Sequence, residues 1–300
     1  MTMLRHRSKG KKMQTIGALC AATLMLSLGV SCGGSSEAPT KSAEATPATG
    51  SGEPAWKPTG NEGSIAGKAS FKGAAAKPRA ISMDADAVCA SKHQGTVYPE
   101  TVVVNGNGTL RNVFVYVKTG LEGKSFTVPD QPVVLDQNGC MYKPHVLGIQ
   151  ARQNLKVVSS DNTTHNIHPL PQINREWNVS QAPGADPILR SFARPEATIP
   201  VKCNQHPWMR AYIHVIDHPF YAVTGDDGSY KLDGLPPGDY EIEAVHEELG
   251  ASKQKITVPP KGSASANFDF NAKQSYSPSS LTTLPALVLA CCAKTQKDAR

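Results

Sequence analysis

Short runs of alternating apolar and polar residues, separated by turn signals, make up most of the chain from Ser64 onward. Segments such as NVFVYVKTG and LKVVSSDN alternate with a period of two residues, which is the pattern of a strand with one buried face. Gly, Asn and Pro stand between these runs, and helical periodicity is almost missing before the C-terminal segment. The sequence therefore predicts an all-β fold, most simply one built of β-sandwiches.

The N-terminal segment predicts export. Basic residues within 5–12 precede a fifteen-residue apolar stretch, Ile16 to Val30, which is too short to span a bilayer and typical of a signal-peptide core. The stretch ends at Ser31-Cys32, and a small residue before a cysteine at this place resembles the lipobox of bacterial lipoproteins. This resemblance implies a signal peptide of residues 1–31, a lipid on Cys32 and a membrane-anchored protein of the periplasm or cell surface. An ordinary secretory signal is the alternative.

Charge and composition exclude one class of partner. The formal net charge is +6, but five basic residues lie within residues 1–31, which hold no acidic residue, so the remainder is close to neutral. A near-neutral protein offers no electrostatic basis for binding nucleic acid. Residues 32–62 are rich in Gly, Ser, Ala, Thr, Pro and Glu and are expected to form a flexible tether. Residues 271–300 are expected to be a disordered tail, and the role of its Cys291-Cys292 pair stays open.

One group of sulfur and imidazole donors indicates a metal site. Cys203, His206 and Met209 stand at Cys-x2-His-x2-Met spacing between two strand-like runs, and His165 follows an upstream strand. A thiolate, two imidazoles and a thioether are the ligand set of a type 1 (blue) copper site, because soft sulfur donors suit Cu(I) and imidazole suits both oxidation states. A structural zinc site is the alternative, but it uses four nitrogen or sulfur ligands and no thioether.

The segment CNQHPWM resembles the ligand loop of the cupredoxins, especially the amicyanin-like members with a short loop, and THNI resembles their first-ligand motif. The similarity covers about residues 131–218 and implies a Greek-key β-sandwich that binds one type 1 copper ion. The ligands that it implies are His165, Cys203, His206 and Met209.

The same resemblance implies that Asn166 supports the ligand loop through a hydrogen bond. His168 is a rival of His165, but residues three apart on a strand point to opposite faces, which disfavours it. Residues 169–199 form a longer insertion than a minimal cupredoxin carries. Residues 170–200 have few apolar residues and several prolines and are expected to form a long loop.

A second segment, GDDGSYKLDGLPPGDYEIEAVHEELG, resembles the hairpin of the carboxypeptidase regulatory-like (transthyretin-like) β-sandwich family. The Gly-x-Ile-x-Gly strand with which that family usually begins stands far upstream, at Gly63 to Gly67. We therefore interpret residues 63–130 and 219–270 as one sandwich into which the cupredoxin domain, residues 131–218, is inserted. A tandem of two domains is the alternative. The resemblance implies a stalk or a carbohydrate-binding role, although no aromatic platform for sugar is evident.

Two further cysteines, Cys89 and Cys140, lie in the exported β region. A disulfide between them is expected because the compartment is oxidising. The alternative is a second soft-metal site formed by Cys89, His93, Cys140 and His145.

Taken together, these patterns favour a membrane-tethered blue copper protein that carries single electrons and is not an enzyme. The expected partners are the membrane, through the lipid anchor, and a redox protein such as a c-type cytochrome or a dehydrogenase. His206 is expected at the solvent edge as the electron exit, with Pro207 and Trp208 shaping the surface that meets the partner. The alternative is a copper-handling or surface-binding lipoprotein, with carbohydrate as one candidate ligand.

Overall fold

A computed structural model describes residues 55–272, and this part of the chain is almost entirely β-structure, which confirms the predicted fold class. The strands are β1 (Gly63–Lys72), β2 (Phe114–Thr119), β3 (Val133–Gln137), β4 (Tyr142–Lys143), β5 (Val146–Gln150), β6 (Leu155–Ser159), β7 (His165–Pro169), β8 (Val179–Gln181), β9 (Ile188–Arg190), β10 (Glu196–Lys202), β11 (Arg210–Ile216), β12 (Tyr221–Val223), β13 (Ser229–Leu235), β14 (Gly238–His246), β15 (Gly250–Val258), β16 (Ser263–Ser265) and β17 (Phe268–Asn271). One short helix, α1 (Ala87–Ser91), lies between β1 and β2. Within residues 55–272, no helix is long and apolar enough to cross a membrane.

Several sequence predictions concern residues outside this range. The signal peptide, the lipidated Cys32, most of the tether and the Cys291-Cys292 pair all lie outside the described residues.

Two of the four sheets are built from strands at both ends of the described chain. In one sheet, β1 pairs antiparallel with β13 and parallel with β16 and β17; in the other, the order is β12, β2, β14, β15. The apolar faces of the two sheets form one core, to which Ile65, Val115, Leu232 and Ile242 contribute fully buried side chains. Alternation along each strand explains this core, since every second residue points to the same face.

The other two sheets use only strands from residues 133–216. Their orders are β5, β11, β10, β7, β8 and β4, β3, β6, β9. Leu135 and Val157 from the second of these sheets share a core with Ile149 and Ile213 from the first. Because β7 and β10 pair antiparallel, the start of β7 lies beside the loop that follows β10. This pairing brings the predicted ligand residues to one end of the sheet.

The two pairs of sheets meet at a cluster of aromatic rings. Phe114 of β2 stacks on His214 of β11, with ring centroids 4.0 Å apart and an angle of 8° between the ring planes. Gly148 of β5 permits this close approach, because a Cβ atom there would lie 2.4 Å from the ring of Tyr221. The strands that carry these rings therefore pack face to face with no room for a side chain at position 148.

His214 gives the fold a predicted sensitivity to acid. Burial lowers the pKa of His214 to about 3, while a backbone hydrogen bond to Ala197 raises it slightly. In the unfolded chain, histidine has a pKa of about 6.5, so the unfolded state binds the extra proton first as the pH falls. We expect this group to lower the free energy of unfolding by up to about 1.4 kcal/mol per pH unit between the two pKa values.

The variant His214→Phe tests this expectation, because it keeps a ring against Phe114 and removes the titrating group. Urea unfolding of the metal-free protein between pH 7 and pH 4.5 should show a shallower loss of stability for the variant than for the unmodified chain. Equal slopes for the two proteins would show that another group controls the acid sensitivity.

The end of the predicted tether packs on the folded part. Trp56 donates its backbone N–H to the Ser125 carbonyl oxygen at 2.7 Å, and its ring lies 5.8 Å from the Phe126 ring and 6.2 Å from the Phe220 ring. The sequence assigns Trp56 to a flexible segment because its neighbours are polar, but the aromatic ring gains apolar contacts that hold residues 55–62 against the protein.

Residues 170–200, expected to be a long loop, contain β8, β9 and most of β10. β8 extends one sheet beyond β7, and β9 extends the other beyond β6. Glu196 is the first residue of β10 and is buried. Its carboxylate accepts hydrogen bonds from the backbone N–H groups of Gln172, Ile173 and Asn174, which follow β7. Edge strands of this kind have one exposed side and few apolar residues, which explains why the sequence pattern resembles a loop.

Candidate metal centre

The Cys-x2-His-x2-Met segment forms a tight loop between β10 and β11. The Cys203 backbone N–H donates to the Met209 carbonyl oxygen at 3.3 Å, and the Met209 N–H donates to the His206 carbonyl oxygen at 2.9 Å. Residues Cys203, His206 and Met209 are 2%, 4% and 0% exposed, so all three lie inside the protein. The loop therefore buries a thiol, an imidazole and a thioether within seven residues.

His165, the first residue of β7, completes a cluster of three donor groups with this loop. Its Nδ1 atom lies 2.9 Å from His206 Nδ1, and Cys203 Sγ lies 3.7 Å from His206 Nδ1. One ligand atom from each of the three residues lies within 4.8 Å of the others. Sheet pairing thus brings the His165 imidazole of β7 next to the Cys203 thiol and the His206 imidazole of the loop. His165 and Cys203 are 38 residues apart in the sequence.

Asn166 holds the cysteine side of the cluster. Its Oδ1 atom accepts hydrogen bonds from the Cys203 thiol at 3.3 Å and from the Asn204 backbone N–H at 2.7 Å. Its amide nitrogen donates to Asn178 Oδ1 at 2.7 Å, and its carbonyl oxygen accepts from the Tyr142 hydroxyl at 2.6 Å. These bonds tie the ligand loop to β7 and to the segment before β8.

A carboxylate faces the outer nitrogen of each imidazole. His165 Nε2 lies 3.1 Å from Asp161 Oδ2, and His206 Nε2 lies 3.1 Å from Asp86 Oδ2. A carboxylate accepts the Nε2 proton, so we assign both rings to the tautomer whose Nδ1 is unprotonated and faces the cluster. Burial lowers the pKa of His165; the hydrogen bond to Asp161 opposes this, and the nearby His206 lowers the pKa further. His165 is therefore neutral at neutral pH and is ready to act as a ligand.

Asp161 also organises the turn before β4. Its carboxylate accepts the backbone N–H groups of Gly139 at 2.8 Å and Cys140 at 2.7 Å, and Lys92 Nζ lies 3.4 Å away. Burial raises the pKa of Asp161, but the two backbone hydrogen bonds and the contact with His165 outweigh it and leave the pKa below its usual value. The carboxylate is thus charged and fully buried at the centre of a hydrogen-bond network.

Asp86 has a second task as the N-cap of α1. Its side chain accepts hydrogen bonds from the backbone N–H groups of Val88 and Cys89 and from the Thr163 hydroxyl at 2.8 Å. These bonds, together with His206, outweigh burial and lower the pKa of Asp86 to about 2. The cap therefore fixes a charged carboxylate beside His206.

The position of His206 corrects one sequence expectation. His206 does not lie at the solvent edge, because Asp86 covers its Nε2 atom and the Trp208 ring lies 5.1 Å from its own ring. Trp208 is partly buried and donates its indole N–H to the Cys140 carbonyl oxygen at 3.0 Å. The segment around α1 thus closes the end of the sandwich where the exposed imidazole was expected.

The structure joins Cys89 of α1 and Cys140 in a buried disulfide that bridges 51 residues. The alternative of a metal site that combines both cysteines with His93 and His145 is not assembled. His93 Nε2 contacts the Gly139 carbonyl oxygen at 2.7 Å. His145 instead forms a buried pair with Glu247 at 3.0 Å.

His168 does not belong to the donor cluster. Its ring contacts Asn204 Oδ1 at 3.3 Å and Glu176 Oε1 at 2.5 Å. It lies three residues after His165 on β7, so it points to the other face of the strand. The geometry therefore separates the two histidines that the sequence motif leaves as rivals.

The donors suit a soft or borderline metal ion such as copper. The two Nδ1 atoms, 2.9 Å apart, and the adjacent thiol place two borderline nitrogen donors and one soft sulfur donor around one point. A hard cation such as Mg²⁺ prefers oxygen ligands, whereas the carboxylates here are turned to the outer ring nitrogens. Residues that sequence reasoning missed are Asp161, which stands four residues before His165 in the same motif, and Asp86, which no local pattern connects to the site.

Comparisons with known proteins found matches among solved structures, over about a third of this chain. No family model and no curated protein sequence matches the chain. Similar solved structures include a copper-containing nitrite reductase from Thermus scotoductus SA-01, at 19% identity and a TM-score of 0.27 over 33% of this chain. This chain covers only 25% of the nitrite reductase chain.

Smaller proteins are matched over most of their own length. A reduced amicyanin is 20% identical over 29% of this chain and 85% of its own, with a TM-score of 0.25. A purple cupredoxin from Nitrosopumilus maritimus is 17% identical over 28% of this chain and 98% of its own, with a TM-score of 0.24. Each match involves about a third of this chain, and the metal centre is therefore inferred from its own side chains.

Proposed function

We propose that the chain is a type 1 copper protein that carries single electrons between redox proteins. The observation that supports this most directly is the buried cluster of Cys203 Sγ, His165 Nδ1 and His206 Nδ1. Copper would be held by these three residues together with Met209 and would supply a one-electron couple between Cu(I) and Cu(II).

The protein's own contribution is a rigid, dry ligand set. Asp161 and Asp86 hold the two imidazole rings from outside, and Asn166 holds the thiol of Cys203. Side chains fixed in this way move little when the charge at the centre changes by one unit, which favours rapid electron exchange. Burial keeps water away from the site.

The domain proposal is that residues 131–218 are inserted into a carboxypeptidase regulatory-like sandwich of residues 63–130 and 219–270. It is supported by the pairing of β1 with β13, β16 and β17, which joins strands from both ends of the described chain. The sandwich would support the metal domain as part of a stalk, with residues 32–54 as the remaining tether.

We further propose export as a lipoprotein anchored through Cys32, located in the periplasm or at the cell surface. The basic residues, the apolar stretch and Ser31-Cys32 support this assignment. A carrier at this place would exchange electrons with a c-type cytochrome or a dehydrogenase and would catalyse no reaction of its own.

One observation favours a second candidate, a copper-handling protein without an electron-carrier role. His206 is only 4% exposed and is covered by Asp86, so no ligand edge is open to a partner. Slow electron exchange with small c-type cytochromes, combined with tight retention of Cu(I), would support copper handling. Fast exchange would support the carrier.

The proposed centre is tested by loading the purified protein with one equivalent of Cu(II) and recording its absorption and EPR spectra. We expect an intense visible band from the thiolate–copper bond and a narrow hyperfine splitting. Protein loaded with Zn²⁺ instead is the control and should stay colourless. A colourless protein that retains a full equivalent of copper would overturn the proposal.

A further inference from the structure

We propose that the Cys89–Cys140 disulfide masks a second site, which binds one soft monovalent metal ion once a dithiol has reduced the disulfide. Its metal ligands are the two sulfur atoms, which the Cys203 centre does not use, and it does not depend on the proposed electron transfer. An imidazole–carboxylate pair lies beside each sulfur atom, and both of these imidazoles also face the Cys203 centre.

Each sulfur atom lies next to one imidazole and one carboxylate. The sulfur of Cys89 lies within 4.8 Å of a carboxylate oxygen of Asp86 and a ring nitrogen of His206. The sulfur of Cys140 has the same relation to Asp161 and His165. Two groups with the composition of a metal site therefore meet at the disulfide, and each shares its histidine with the Cys203 cluster. The S–S bond joins the two sulfurs that would act as thiolate ligands.

Reduction converts this bond into two donors. A dithiol transfers two electrons and two protons, the S–S bond breaks, Cys89 and Cys140 become thiols and the dithiol becomes a disulfide. Each thiol then loses its proton on binding a metal ion, because the thiolate is the ligand. The two Cα atoms are 5.5 Å apart, so the two thiolates stay close enough to share one ion. Paired thiolates select soft ions such as Cu(I) or Ag(I).

A surface cavity lies beside the Cys89 end of the disulfide. It has a volume of about 500 Å³ and is lined by residues that include Ile81, Met83, Cys89 and His93. Met83 and His93 add a thioether and an imidazole to the cavity wall, and both are donors that a soft ion prefers. Cys89 lies against the cavity with its side chain fully buried, so a dithiol reaches the sulfur when the covering residues move apart.

The experiment uses the full chain with four cysteines replaced by serine, so that Cys89, Cys140 and Cys203 are the remaining cysteines. The replaced residues are Cys20, Cys32, Cys291 and Cys292. Oxidised protein, and protein reduced with dithiothreitol and freed of it under argon, are titrated with Ag(I), and bound silver is counted by native mass spectrometry. We expect one Ag(I) per oxidised chain and two per reduced chain.

Two variants assign the second ion. Adding Cys203→Ser should remove the first ion and keep the ion that appears on reduction. Adding Cys89→Ser with Cys140→Ser should leave one ion under both conditions. A reduced chain that still binds one ion, or a double-serine variant that gains an ion on treatment with dithiothreitol, would overturn the proposal.

A measurement on the chain that keeps all three cysteines guards against misfolding of the variants. Iodoacetamide should alkylate Cys89 and Cys140 in the reduced protein, and two equivalents of Ag(I) should protect both. Circular dichroism must stay native-like during the titration. Continued alkylation in the presence of Ag(I), or silver binding only after loss of the native spectrum, would contradict a built second site.

Discussion

Copper-loaded protein that carries Cys203→Ser is expected to lose essentially all of its intense visible absorption. The band requires a thiolate bound to Cu(II), and a serine hydroxyl is neither soft nor ionised at neutral pH. The fold should survive, because a hydroxyl at position 203 can donate to Asn166 Oδ1 as the thiol does at 3.3 Å. Thermal unfolding of the metal-free variant should therefore stay close to that of the unmodified protein.

The two rival histidines supply matched controls for this result. His165→Ala should weaken copper binding and change the EPR spectrum, because His165 Nδ1 faces the cluster. His168→Ala should leave both unchanged, because His168 contacts Asn204 and Glu176 instead. A Cys203→Ser variant that keeps the band, or a loss of the band with His168→Ala alone, would refute the ligand assignment.

Asp161→Ala is expected to have the largest effect on stability. The change leaves the buried N–H groups of Gly139 and Cys140 without an acceptor, and each such group costs about 1–3 kcal/mol. The free energy of unfolding should therefore fall by roughly 2–6 kcal/mol. Copper affinity should also fall by about 10–100-fold, because His165 loses the group that orients its ring.

Chemical unfolding with urea and a copper competition assay measure these two effects. Asp130→Ala removes an exposed aspartate and should change stability by less than about 0.5 kcal/mol. Asp161→Asn keeps one acceptor oxygen, so its free energy of unfolding should lie between those of Asp161→Ala and Asp130→Ala. If Asp161→Ala is as stable as Asp130→Ala, the network around the carboxylate does not hold the turn as described.

The closed end of the sandwich changes which surface a redox partner would contact. Asp86, α1 and the Cys89–Cys140 disulfide cover the side of His206 that the sequence analysis assigned to solvent. Trp208 contacts both His206 and Cys140 and is partly buried, whereas Asn204, Gln205 and Pro207 of the same loop are exposed. Asp86 and α1 belong to residues 73–113, which contain one short helix and none of the strands β1 to β17.

Much of the candidate site was predictable from local sequence because its ligands are close together in the chain. Cys203, His206 and Met209 fall within one loop, and such spacing alone sets which side chains can meet. Asp161 was within reach of the same reasoning, since it stands only four residues before His165. Asp86 was not, because it reaches His206 across 120 residues, and no periodicity records such a contact.

Sequence alone determined the all-β class, the donor types and their local order, because strand alternation and ligand spacing are properties of neighbouring residues. Tertiary structure alone decided which strands pair, that residues 169–199 add strands β8 and β9, and that His206 is buried. These outcomes depend on pairing and packing between distant segments, where the free energy comes from surfaces that meet only after folding. The same reason explains why the disulfide, the two carboxylates and both imidazoles could be found in one place only in the folded molecule.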